Sequence, residues 1–160
     1  MATTESRPGI GAMTLEPGPD GASVWTLARP GYSTRYGELV AVSIVLEGAD
    51  NLDSVDWTLV GEVRDNLDRY LEAGLRFVHA EVVADPASFG LAVHDDRYRE
   101  FDVDQFPLDL PRLTFYADHE WLMHFQRGRL PVCEPYGLLV LFDRRQPVRI
   151  ENVSEADMID

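Results

Sequence analysis

Apolar residues recur at spacings of three and four between Val55 and Val82, the most regular pattern in the chain. Val55, Leu59, Val63, Leu67, Tyr70, Leu71, Leu75, Val78 and Val82 make one stripe with the period of an α-helix. Asp53 or Ser54 can cap its start, Asp56 suits the positive end of the helix dipole, and Pro86 stops it. A single amphipathic helix from Val55 to Ala84 would be roughly 45 Å long. Gly74 lies inside it at a cost of ~1 kcal/mol relative to Ala, and offers an alternative in which a second helix starts at Leu75.

On either side the pattern changes to strand length and strand period. Val24–Leu27 reads as a short strand ended by Arg29-Pro30-Gly31. Leu39 to Leu46 is β-branched and almost continuously apolar, as in a strand buried on both faces. Beyond Leu110 the spacing predicts strands over 112–117, 120–126, 137–142 and 147–153. Trp121, Met123 and Phe125 alternate in the second of these, and turns fall at Asp118-His119 and Asp143–Gln146. Strands, a helix, then strands indicate α+β: an antiparallel sheet with a C-terminal β-meander, packed against one long amphipathic helix. The Gly/Pro-rich residues 1–22 read as a flexible arm from which Met13 and Leu15 can dock as a short sheet edge. Residues 23–153 form a single domain and 154–160 an acidic tail. Asp85–Leu110 is acidic, with Phe89, Leu91, Phe101, Phe106 and Leu108 as anchors.

Charge narrows the choice of partners. The 160 residues hold 28 carboxylates against 14 arginines and no lysine, a formal net charge of −14. A nucleic-acid backbone would be repelled, whereas a basic macromolecule would be drawn in faster by the summed field. Without lysine there is no Schiff-base nucleophile and no P-loop. Arg-for-Lys usage also follows from a GC-rich genome, and excess carboxylate keeps a small protein soluble. No apolar run reaches 18 residues, so no membrane span is expected. A lone cysteine, Cys133, and no N-terminal leader pattern point to a reducing cytoplasm.

Candidate chemistry is sparse. His119 and His124 are five apart, about 140° around a helix, and on opposite faces of a strand, so they do not chelate one ion as an i, i+4 pair would. His94-Asp95-Asp96 lacks the glycine and closing glutamate of an EF-hand. Cys133 beside Glu134, between Pro131 and Pro135, reads as an incidental thiol. No cofactor motif occurs, and no catalytic residue is assigned. The polar side of the helix offers Asp65, Asp68 and Glu72, with Asp65–Arg69 and Glu72–Arg76 at ion-pair spacing. Joined to Asp95, Asp96, Tyr98, Asp102 and Asp104 of the acidic segment, they make one candidate partner-binding surface. Trp57, Tyr98, Phe101 and Tyr136 are the candidate aromatic anchors.

The run Asp65–Leu75, followed by Asp85-Pro86-Ala87-Ser88-Phe89-Gly90, Leu113–Tyr116 and Gly137–Asp143, resembles small bacterial α+β proteins grouped with the immunity proteins of polymorphic toxin systems. The resemblance spans 55–152 and transfers no functional residue. It implies a non-enzymatic cytoplasmic inhibitor that occludes a basic partner such as a toxin. Two alternatives stand beside it. One is a self-associating structural component that uses the Leu39–Leu46 and Leu138–Phe142 strands. The other is a metal-assisted hydrolase.

Overall fold

All nine residues of the apolar stripe are buried, but the eight from Leu59 to Val82 lie on two helices rather than one, and Val55 just precedes the first. The computed structural model describes residues 2–91, 108–133 and 137–152. Helix α1 covers Trp57–Asp65 and helix α2 covers Leu67–Ala84. The break is at Asn66, whose backbone leaves the helical region (φ −123°, ψ 39°) and whose amide Nδ2 donates to the Glu62 carbonyl at 2.9 Å. Gly74, the position at which the sequence suggested a break, lies within α2. A β-carbon there would stand 2.7 Å from Met123 Sδ, so glycine lets the helix approach the sheet. Asp56 starts α1 by accepting from the Leu59 amide.

Eight strands form one sheet in the order β1-β2-β3-β6-β7-β8-β9-β10. They are β1 (Thr4–Arg7), β2 (Gly11–Pro17), β3 (Ser23–Leu27), β6 (Val42–Leu46), β7 (Leu108–Phe115), β8 (Glu120–Gly128), β9 (Leu138–Asp143) and β10 (Gln146–Asn152). The C-terminal meander is present as expected, β7 to β10 each pairing antiparallel with the next. The sheet is not wholly antiparallel: β6 runs parallel to β7 over Val42–Ile44 against Leu113–Phe115. The two helices make the crossover that a parallel pair requires.

The flexible arm is also corrected. Residues 4–17 form the β1–β2 hairpin, with Met13 opposite Leu27 and fully buried, and Leu15 opposite Trp25. Pro8, Gly9 and Gly11 mark its turn rather than disorder, because Gly9 and Gly11 take positive φ. The run Leu39–Leu46 is likewise not one strand. It divides at Ala41 into β5 (Glu38–Val40) and β6, and β5 pairs with β4 (Gly31–Ser33) in a separate two-stranded ribbon. The ribbon crosses the α1–α2 junction. Gly31 lies so close to it that a β-carbon would meet Leu67 Cδ2 at 2.9 Å. The expected tail at 154–160 lies outside the described residues.

The core face of the sheet is aromatic at its centre. Trp121 stacks on Phe142 (centroids 4.1 Å apart) and on Phe115 (5.1 Å), and Tyr70 from α2 meets Trp121 edge-on at 5.9 Å. The Trp121 indole Nε1 donates to the Arg144 carbonyl at 2.7 Å, which ties the core to the β9–β10 turn.

Candidate acidic interface

Three of the eight candidate partner-binding residues fall among the described ones, and each is already engaged. Asp68, at the start of α2, reaches over to the ribbon turn. Its Oδ1 accepts from Ser33 Oγ at 2.8 Å and from the Arg35 amide at 3.4 Å; its Oδ2 accepts from the Thr34 amide at 3.0 Å and from Thr34 Oγ1. Ser33 is fully buried, and its Oγ in turn accepts from the Tyr36 amide. Asp68 is therefore a clamp for the ribbon. Partial burial pushes its carboxyl up, but the hydrogen bonds from Thr34, Ser33 and Arg35 outweigh this and hold it below its ordinary value of 3.8.

The other two are locally neutralised. Asp65 does not pair with Arg69; its Oδ1 accepts from Nε of Arg64 at 2.9 Å, and the Arg69 guanidinium lies 5.8 Å from the Tyr70 ring centroid. Glu72 does pair with Arg76, at 2.6 Å. Asp95, Asp96, Tyr98, Asp102 and Asp104 lie outside the described residues, as do Phe101 and Tyr136. Trp57 is no free anchor: its indole donates to the Leu52 carbonyl at 2.8 Å and Arg7 covers its ring at 5.8 Å. The helix face is thus less available to a partner than its sequence suggests.

Carboxylates without ion-pair partners gather at another place. Glu47 at the end of β6, Asp50 after it, and Asp118 and Glu120 at the β7–β8 turn surround a shallow depression of about 370 Å³. None of the four forms an ion pair among the described residues. Tyr116 lines the depression; burial raises its phenol pKa, and the nearby charges of Glu47, Asp118 and Glu151 raise it further. The sequence places Glu47 and Asp50 about seventy residues from Tyr116, Asp118 and Glu120, and the parallel β6–β7 pairing brings the two groups together. A second feature also escapes a linear reading. Tyr32 and Leu39 face each other across the ribbon, 57% and 68% exposed.

The histidines stand where the strand reading put them. His119 precedes β8, its Nδ1 3.3 Å from Asp56 Oδ2, and His124 lies within β8 opposite Arg112 and Leu139. Cys133 is buried in a short turn after β8. Among the described residues no group of three His, Cys, Asp or Glu side chains is placed to hold a metal ion. Among the described residues no helix is long and apolar enough to cross a membrane. No protein-family model matches the chain, and neither curated proteins nor solved structures give a match.

Asp68→Asn tests the clamp. One oxygen becomes an amide donor facing donors, so a loss of about 1.5–3 kcal/mol in unfolding free energy is expected. The wild-type contribution should be complete above the unfolded carboxyl value near 3.8 and disappear as pH falls through the lower folded value. Urea titrations from pH 7 down to 2 should therefore bring the two proteins together at the acid end; a gap that stays constant with pH would exclude the clamp.

Proposed function

We propose that this chain is a non-enzymatic acidic binding protein, an inhibitor that occludes a basic partner such as a toxin. The observation that carries this reading is the net charge of −14, with 28 carboxylates and 14 arginines. The carboxylates around Tyr116, which form no ion pair among the described residues, support it, since such a concentration of charge steers a basic surface toward itself. Occlusion needs no chemistry from the inhibitor: the partner's cationic groove is filled by carboxylates in place of phosphates. Asp65 and Glu72 add to the summed negative field although each is paired.

The expected behaviour is a salt-dependent association rate. Between ~0.01 and ~1 M ionic strength the Debye length shrinks from about 30 Å to about 3 Å, and the rate should fall by at least about tenfold. Stopped-flow mixing with the basic protein recovered from native lysate reads this directly. A rate unchanged by salt would remove electrostatic steering from the mechanism.

The Tyr32–Leu39 pair favours a second reading, a self-associating component. Two large apolar side chains side by side on an outward face are the usual centre of an interface. Light scattering at high protein concentration separates the two, because strict monomers would count against self-association.

A further inference from the structure

Strand β10 is the last in the sheet, and among the described residues it pairs only with β9. Among the described residues its outer edge therefore leaves N–H and C=O groups available to another strand. The β9–β10 register is irregular between Pro147 and Arg149 and regular from Arg149 to Asn152, so the second half of the strand is a straight template. A groove of about 440 Å³ runs along this edge strand and reaches inward to Leu138 of β9 and Val132, with the C-terminal half of α2 and the turn at Pro86–Phe89 as its other wall. Phe77, Phe89, Val148 and Ile150 give it an apolar lining, and Val148 is 54% exposed. Glu81 and Asp85 stand on the helix side of the groove, both exposed. The groove's one arginine, Arg149, is held by Glu151 at 3.1 Å.

An open edge beside an apolar trough is the geometry of strand addition. Backbone hydrogen bonds supply affinity, and alternate side chains enter the trough. Charge selects among occupants. A second copy of this chain would bring its own Glu81, Asp85 and a net −14 against the same groups. A cationic strand would be attracted by all of them. We infer that the β10–α2 groove receives, by strand addition, an extended segment of a basic protein in which apolar side chains alternate with arginine or lysine. This rests on reading the chain as an acidic binding protein, and it names the surface and the form of the partner.

The probe is a capped heptapeptide alternating arginine and valine, titrated into the isotope-labelled full chain at low salt and followed by amide chemical shifts. Shifts should concentrate in residues 146–152 and 77–89. Methylating alternate peptide nitrogens, which blocks the backbone bonds, should weaken binding by about tenfold or more. The double substitution Glu81→Lys with Asp85→Lys should weaken it to a similar degree, with thermal melting confirming an intact fold. Binding that ignores methylation and spreads over the carboxylates of α2 and the Tyr116 depression would overturn the groove while leaving the acidic reading in place. No binding by this peptide or by an arginine heptapeptide would overturn both. A dimer of the free chain in sedimentation that Val148→Asp abolishes would assign the edge to a second copy and overturn the inference.

Discussion

Trp121→Ala is expected to lower the unfolding free energy by about 4 kcal/mol and the melting temperature by roughly 8–16 °C. Trp121 is fully buried, so truncation leaves a large hole among side chains that can collapse only in part. It also breaks three ring contacts, with Phe142, Phe115 and Tyr70, each worth about 0.5–1.5 kcal/mol beyond simple burial. The Arg144 carbonyl loses its indole donor as well, and this loosens the β9–β10 turn. Trp121→Phe should recover most of the packing and none of that hydrogen bond. Denaturant midpoints at an unchanged m-value are the test. A loss below about 1 kcal/mol for the alanine variant would mean that the aromatic stack is not the centre of the core.

Arg64→Ala should cost about 3–5 kcal/mol, by a different route. The side chain is 3% exposed, and its guanidinium donates to the carbonyls of Ile10 at 2.7 Å and Gly9 at 2.8 Å, with Nε on Asp65. Alanine strands two carbonyls of the β1–β2 turn, one of them deeply placed, and each unsatisfied group costs about 1–3 kcal/mol. The damage should therefore be local before it is global. Hydrogen exchange should rise first in residues 4–17, at denaturant concentrations where β8 and β9 remain protected. Equal loss of protection across all strands would show that Arg64 supports the core generally and is no specific tether for the hairpin.

How much of this was legible in the sequence differs by kind of information. Every residue of the stripe from Val55 to Val82 is buried, because periodicity reports burial directly, although the stripe leaves out the equally buried Val60 and Arg64. It did not reveal the break at Asn66. Leu67 resumes the stripe in phase, so the pattern carries no trace of the interruption. The meander was readable because each strand pairs with its sequence neighbour. The parallel β6–β7 pair was not, since it joins segments some seventy residues apart.

The candidate site was harder to read. Charge counting finds carboxylates but not their partners. Asp68 looked like a solvated helix residue because the ribbon that it clamps is distant in sequence. The N-terminal hairpin was hidden by composition: glycine and proline mark both turns and disordered arms, and the buried Arg64 that decides between them lies more than fifty residues away.

The parallel pairing has a consequence for how the molecule assembles. The sheet consists of two sequence-contiguous halves, one within residues 4–46 and the other within 108–152, and they meet along only three residue pairs. Within each half most strands pair with a near sequence neighbour, so loop-closure entropy is small. The joint must close a loop of about seventy residues. Each half can gain strand structure early, while the seam waits for α1 and α2 to bridge it. The docking of the two half-sheets is then the expected slow event in folding, and the three-pair seam is where the native sheet is expected to part first under strain.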